Sequence, residues 1–328
     1  MPGPFVVGVD LGGTNIAFGV VSADGNTRLP VITKLTRAER GADVVLERIV
    51  AGITLVIDDA CTTTGASRAD FLGVGLGAPG PLDRARGLVV VAPNLGWHDY
   101  PLRDNVAGRT GLPATLDNDA NCATMGEWWL GAGRGTRTMV GLTIGTGIGG
   151  GLIIDGELFH GATDVAGEVG HMTIETQGRR CACGNYGCLE AYASGTAIAA
   201  RAREALAFDG ASVLRTLVDG DLANITAQIV FTAAAHGDAV ALEVVRETAR
   251  FLGAGVANLL NVFNPELVVL AGGVTAAGEN LFAPLRAEAR RRAFKPAWEA
   301  TRIVPGELTG AAGVIGAVAT FLQQRPRA

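Results

Sequence analysis

No Gly-x4-Gly-Lys-Ser/Thr run occurs in this chain, so the lysine-bearing phosphate loop of many nucleotide-binding proteins is excluded. No apolar stretch reaches the roughly 18 residues that a membrane-spanning helix needs. Positive charge is also scarce. The 27 lysines and arginines face 32 acidic residues, and the net charge of −5 offers no field for nucleic acid. The one basic run, Arg290-Arg291-Arg292, lies on a helix-like stretch and reads as a solvated face. Charged residues make up only 18% against 48% hydrophobic, which argues against disorder and supplies a large core. The N-terminus lacks a positively charged start and Asp10 breaks its apolar run, so no signal peptide is expected. Among the five cysteines, Cys61 and Cys122 stand alone; free thiols beside a thiol cluster point to a cytoplasmic location.

Glycine, by contrast, is abundant. The 47 glycines are about double ordinary usage and fall beside strand-like runs, not in repeats, which suggests backbone-lined ligand loops. The 328 residues are enough for two domains.

The densest chemical signal is Cys181, Cys183 and Cys188 downstream of His171. Three thiols and an imidazole form a full ligand set for one tetrahedral Zn²⁺. The short spacings suit a tight knuckle in which Gly184 and Gly187 let the backbone turn around the ion. Buried or disulfide-linked cysteines fit less well, because Cys181 and Cys183 are too close to pair comfortably and three thiols leave one over. Four protein ligands leave no open coordination position, so the expected zinc is structural. Glu168 and Glu190 flank the motif, and a zinc there would hold both in place.

Strand-like runs at Phe5–Asp10 and Ile16–Ser22 enclose the corner Leu11-Gly12-Gly13-Thr14. A helix is predicted over Asp43–Asp59 and a strand over Phe71–Leu76, followed by Gly77-Ala78-Pro79-Gly80-Pro81, which reads as irregular. Asp119–Leu130 reads as a helix. The hairpin pattern then recurs, with strands at Thr138–Ile144 and Leu152–Ile154 around a corner at Gly145–Gly151 that places Thr146 where Thr14 stood. Helices follow at Thr196–Phe208, Ala239–Phe263 and Ala311–Leu322, with a buried strand Leu267–Leu270 running into Ala271-Gly272-Gly273. Two α/β lobes with a boundary near residue 118 are the simplest account.

Gly145-x-Gly147-x-x-Gly150 and Gly75-x-Gly77-x-x-Gly80 both match the dinucleotide fingerprint, but neither opens a helix, so that reading is rejected. Each glycine corner alone could be an ordinary hairpin. Together with Gly272-Gly273 they suggest amide dipoles cradling phosphate, with Asp10 placed to hold Mg²⁺ or its water shell. Asp119, at the start of its helix, could be either a cap or a general base.

Asp10-Leu11-Gly12-Gly13-Thr14, Asn118-Asp119-Ala120-Asn121, the Gly145–Gly151 corner, Glu168-Val169-Gly170-His171, the cysteine cluster with Glu190, and Leu270-Ala271-Gly272-Gly273 occur in one order. In this the chain resembles the ROK family of sugar kinases over nearly its whole length. The resemblance implies an actin-like ATPase fold of two RNase H-like lobes closing over ATP and sugar. The first lobe would hold residues 1–118 plus the C-terminal helix 309–328, and the second residues 119–308 with the zinc knuckle. It implies ATP binding by Asp10, Gly12, Gly13, Thr14, Asn15, Thr146, Gly147, Gly272 and Gly273, and sugar binding by Gly77, Pro79, Asn94, Asn118, Asp119, Glu168, His171 and Glu190. Asp119 becomes the general base, His171 serves both zinc and sugar, and a homo-oligomer (dimer or tetramer) is expected. A repressor of the same family would need an N-terminal DNA-binding domain, for which a first strand starting at Phe5 leaves no room.

Asn118, Asp119, Glu168, His171 and Glu190 offer the acceptors and amide that read neutral vicinal hydroxyls. Segments 117–133 and 155–178 contain no Lys or Arg, so an anionic acceptor would be repelled. Of Trp128 and Trp129, one is expected in the core. The runs Gly187–Ser194 and Glu127–Gly133 are most similar to family members that phosphorylate the 6-hydroxyl of glucose. Fructose, mannose or N-acetylmannosamine as acceptor, polyphosphate as donor, and a non-catalytic sugar-binding regulator are the alternatives.

Overall fold

The computed structural model describes residues 3–208 and 211–325. Residues 1–2 and 326–328 of the expected first lobe, and 209–210 of the second, lie outside the described residues. Thirteen strands occur among those described: β1 Phe5–Leu11, β2 Asn15–Ser22, β3 Ile32–Leu35, β4 Phe71–Ala78, β5 Leu82–Asp83, β6 Leu88–Ala92, β7 Trp97–Tyr100, β8 Ala114–Asn118, β9 Met139–Ile144, β10 Ile148–Ile154, β11 Glu157–Leu158, β12 Leu267–Ala271 and β13 Arg302–Pro305. They form sheets of order β3-β2-β1-β4-β8, β11-β10-β9-β12-β13 and β5-β6-β7.

In the first sheet, β1 and β2 pair antiparallel from Phe5↔Ser22 to Leu11↔Ile16, while β4 and β8 run parallel to β1. Alternating and continuous apolar runs bury Phe5, Val7, Val9, Phe18, Val74 and Leu76 against the helix Ala42–Thr64. β4 runs on through Gly77 and Ala78, a stretch expected to be irregular. Both residues are paired with β8, and Pro79 restricts Ala78 to extended backbone in any case. The second corner is likewise shorter than expected. β10 starts at Ile148, so Gly149-Gly150-Gly151 are strand residues. The strand tolerates Gly151 because a neighbour needs the space: a Cβ there would lie 2.6 Å from Thr124 Oγ1.

The chain divides into two compact units, one holding residues up to Gly135, Gly151–Gly167 and those from Glu307 onward, the other Thr136–Gly150 and Glu168–Gly306. The first unit takes in the helix Asp119–Leu130, which the sequence reading assigned to the second lobe. Close packing on the C-terminal helix Ala312–Gln324 holds it there. A Cβ on Gly316 would lie 1.5 Å from the Cys122 carbonyl oxygen, and one on Gly126 2.2 Å from that of Ala312. In the second unit the strands β9, β12 and β13 run parallel, and the long helix Ala239–Phe263 has a buried face from Val240 to Leu260. Among the described residues no single helix is long and apolar enough to cross a membrane.

Candidate active site

In the first unit the C-terminal ends of β1, β4 and β8 converge. Register sets Asp10 beside Gly77, Gly77 beside Asp117 and Ala78 beside Asn118. Such strand ends are where open α/β sheets hold ligands. The next helix starts at once. Asn118 is its cap: the Oδ1 accepts from Ala120 N at 2.9 Å and from Asn121 N at 3.2 Å. The capping role that spacing alone could give Asp119 therefore belongs to its neighbour. Asp119 occupies the first turn, half-buried, and accepts from Ala120 N at 2.8 Å. The first turn is the positive end of the helix.

Asp10 lies one residue from the end of β1, close to the start of the C-terminal helix. A Cβ on Gly313 would sit 2.2 Å from Asp10 Oδ2, so only glycine leaves the carboxyl its place. Burial, with the Asp119 charge adding to it, pushes the Asp10 carboxyl up to about 7. A bound cation would reverse that shift, which suits a group that meets Mg²⁺.

The first glycine corner is pinned by Thr36, whose Oγ1 donates to Gly12 O at 2.6 Å and whose N–H donates to Thr14 O at 2.8 Å. Gly12 N in turn donates to Asn15 O at 2.8 Å, and Thr14 and Asn15 stay exposed. Asn94, on the short turn Pro93–Leu95, packs on this corner: its Cβ lies 3.0 Å from where a Gly13 Cβ would be. Two residues from separate predicted sets, sugar-binding Asn94 and phosphate-binding Gly13, thus touch. Pro79 is half-buried nearby in sequence. Gly77 is buried, and its missing side chain makes room for Cys122 Sγ at 3.2 Å and Asp119 Cα at 3.6 Å, so it seats the helix.

Asp117 is the buried hub beneath these groups. Its Oδ1 accepts from Asn118 N at 2.9 Å and Asn121 Nδ2 at 3.1 Å. Its Oδ2 faces His160 Nε2 at 2.9 Å, Gln324 Nε2 at 3.1 Å and Arg84 Nε at 3.2 Å. Arg84 also pairs with Asp164 at 3.3 Å. The lack of Lys and Arg in segments 117–133 and 155–178 thus does not keep a cation away, because Arg84 enters from the β5–β6 turn. His160 and Gln324 are 43 and 207 residues from Asp117, and no local pattern announces them. Of the two tryptophans, Trp129 packs, half-buried, against the core cluster of Val6, Val21, Ile315, Val318 and Phe321, as expected for one of the pair. Beside it Glu127 also turns inward, 2% exposed, and accepts from Ala132 N, Glu307 N and Leu308 N at 2.8–3.0 Å.

In the second unit, Gly145 N donates to Gly147 O at 2.9 Å to close the second corner, and Thr146 is exposed. Gly272, at φ +97°, lies against the end of β9, where a Cβ would be 2.4 Å from Ile144 O. Gly272-Gly273 thereby reaches the same corner. Thr146 and Gly273 both line a cavity of about 910 Å³, with Thr196, Arg203, Phe231 and Val274 among its walls. Apolar walls with a few polar groups suit a nucleoside.

The cluster of His171, Cys181, Cys183 and Cys188 forms in the same unit, its ligand atoms all within 4.8 Å of one another. Cys183 Sγ and Cys188 Sγ are 3.7 Å apart, as are Cys181 Sγ and His171 Nδ1. Bonds of about 2.3 Å to sulfur and 2.0 Å to nitrogen require tetrahedron edges of about 3.8 and 3.5 Å, so the donor set fits Zn²⁺. Burial pushes the Cys181 thiol up to about 12, and three adjacent thiolates need a cation. Gly187, at φ +73°, is required as expected: a Cβ would lie 1.7 Å from Glu175 O. His171 turns Nδ1 to the cluster and Nε2 toward Glu168, 3.9 Å away. Glu190 places Oε1 3.6 Å from Cys181 Sγ, and its Oε2 accepts from Ile148 N at 2.8 Å.

Residues 6–324 match the ROK family. The chain belongs to that family. Its fold is the actin-like ATPase fold of ROK sugar kinases. It is 40% identical to a glucokinase of Thermotoga maritima over 327 residues, 99% of either chain. Among solved structures it is similar to a ROK family glucokinase from Streptomyces griseus in complex with glucose and AMPPNP. That likeness has a TM-score of 0.83 at 37% identity and covers 98% of this chain and 100% of the other. A ROK hexokinase from Thermus thermophilus gives a TM-score of 0.81 at 35% identity, over 97% and 98% of the two chains.

Proposed function

We propose that this ROK protein is a glucokinase, transferring the γ-phosphoryl group of ATP to the 6-hydroxyl of glucose. The observation that carries the reading is Asp119: its neighbour Asn118 caps the helix, so the Asp119 carboxylate stands at a positive helix end without the capping task. Likeness over the full chain to proteins named glucokinase supports glucose as the acceptor. Arg84 is tied to Asp117 and Asp164, so it brings no spare charge for an anionic acceptor.

Phosphoryl transfer asks for alignment and for a carboxylate that accepts the hydroxyl proton late in the reaction. Asp119 takes the proton from the C6 hydroxyl as its oxygen attacks the γ-phosphorus in line. Asn94, Asn118, Glu168, His171 and Glu190 hold the remaining hydroxyls, while Gly77 and Pro79 shape the strand end beside them. The amides at Gly13, Thr14 and Asn15, and at Thr146 and Gly147, receive the phosphates, with Gly12 shaping the first corner through its own bond to Asn15 O and the nucleoside in the cavity beside Gly272 and Gly273. Asp10 holds Mg²⁺ or its waters, and that ion supplies charge neutralisation on the phosphates. His171, Cys181, Cys183 and Cys188 hold a structural zinc, which keeps the segment bearing Glu168 and Glu190 in shape. Thiolate ligation of zinc and use of ATP agree with a cytoplasmic enzyme. Val262 and Phe294 are 72% and 75% exposed, and the Phe294 N–H reaches Asn261, which supports assembly into a dimer or tetramer through this face. Isothermal titration with glucose and turnover with MgATP test the reading: binding without turnover would instead favour a sugar-binding regulator.

A further inference from the structure

Glu190 faces two ways. One carboxylate oxygen lies 3.6 Å from Cys181 Sγ in the thiol cluster, and the other accepts the Ile148 N–H at 2.8 Å, at the foot of the second glycine corner. A Cβ on Gly147 would sit 2.5 Å from that same oxygen, so the corner has closed down on the carboxylate. The chain after Glu190 continues to the other side of the corner. Gly195 N donates to Gly145 O at 2.8 Å, and Thr196 Oγ1 donates to Thr146 O at 2.9 Å. Gly170, next to His171, packs on β10 so tightly that a Cβ would lie 2.1 Å from Ile148 O. Gly145, Thr146, Gly147 and Ile148 thus each bear on the segments that carry His171 and Cys188.

We infer that Glu190 and the run Cys188–Thr196 form a strut through which the zinc knuckle sets the shape of the nucleotide corner, so that zinc occupancy controls nucleotide affinity. In this role Glu190 is a positioning residue for the donor. The inference rests on the nucleotide reading of the Thr146 corner given above, and goes beyond it by tying donor binding to a metal assigned to the acceptor side. A charge-assisted hydrogen bond from a backbone amide is among the stronger local restraints, and its loss frees the amide that ends the corner.

The test uses the whole protein without sugar and measures AMPPNP affinity by titration calorimetry, before and after zinc is stripped and with the fold checked by circular dichroism. Backbone hydrogen exchange across 145–150 and at Gly195 is followed in parallel. Stripping zinc is expected to weaken AMPPNP at least about fivefold, the lower end of ordinary coupling between sites, and to speed exchange at Ile148 and Gly195. Unchanged AMPPNP affinity together with unchanged exchange in the folded, zinc-free protein would overturn the inference. Should stripping unfold the chain, the zinc-bound variants decide. Glu190→Ala should weaken AMPPNP and speed Ile148 exchange, and Glu190→Gln should restore much of both through its amide oxygen. AMPPNP affinity in Glu190→Ala equal to that of wild type refutes the strut. Failure of the zinc-bound wild type to bind AMPPNP at all speaks against the nucleotide reading itself, and the exchange data then judge the strut alone.

Discussion

Replacing Asp119 by alanine separates the two jobs a carboxylate can do at a helix start. If Asp119 served the helix, its loss would cost stability; if it is the base, the loss falls on turnover. The structure gives the helix little need of it. Asn118 supplies the cap through two hydrogen bonds, and what Asp119 gives the helix is a bond from Ala120 N and a favourable place near the helix dipole. A dipole term of that kind is worth about 0.3–1 kcal/mol. The Asp119 charge also opposes ionisation of Asp10, so its removal relieves some repulsion. The net change in stability should stay within about 1 kcal/mol, whereas Asn118→Ala should cost about 0.5–2 kcal/mol as a lost cap. Turnover should behave in the opposite way. Loss of a general base lowers kcat about 10²–10⁴-fold, or roughly 3–5 kcal/mol of barrier, with glucose affinity nearly retained. Denaturant melts of both variants, beside steady-state kinetics and glucose titration of Asp119→Ala, provide the comparison. A kcat within threefold of wild type, or a stability loss larger than that of Asn118→Ala, would refute the assignment.

Three further outcomes follow from the geometry. Without added Mg²⁺, the Asp10 carboxyl near 7 against an ordinary value of 3.8 means that stability is full below about pH 4 and is lost as pH rises through 7. Asp10→Asn should therefore be more stable than wild type at pH 8, by on the order of 2–4 kcal/mol, with the gain shrinking to about 1 kcal/mol at pH 4.5; a pH-independent difference would contradict this. Glu127→Ala leaves three part-buried backbone N–H groups without their acceptor and should cost about 2–4 kcal/mol, measured by urea unfolding; a loss under 1 kcal/mol would show that water replaces the carboxylate. Cys183→Ser should lower zinc content and loosen glucose binding, since the loop bearing Glu190 loses its brace, and normal glucose affinity in a zinc-free protein would count against the brace.

Local patterns were legible where one segment carries its own instructions. The helix Ala239–Phe263 shows its apolar stripe in sequence, and Asp119–Leu130 announces its start with Asn and Asp. The cluster of His171 with three cysteines was legible because a knuckle is short-range, and Gly187 is needed there for both its positive φ and its contact with Glu175. Strand limits at glycine were not. Gly77 and Gly149–Gly151 look like loop residues until a neighbour is seen to fill the space a side chain would take. The Asp117 hub was hidden for a related reason. Its partners Arg84, His160 and Gln324 come from three distant segments, and a buried carboxylate looks like any other aspartate until the guanidinium, imidazole and amides around it are seen. Glu127 shows the same limit: beside two tryptophans, the charged residue also turned inward, because the backbone of Glu307 and Leu308 needed an acceptor.

The most direct test of the account is a coupled assay of ADP release with MgATP against glucose, fructose, mannose and N-acetylmannosamine, each over a range of concentrations. The account predicts a kcat/KM for glucose at least about tenfold above the others, a difference of roughly 1.4 kcal/mol in transition-state binding. A preference for another sugar would contradict the acceptor assignment, and glucose binding with no ADP release from any sugar would contradict the kinase itself.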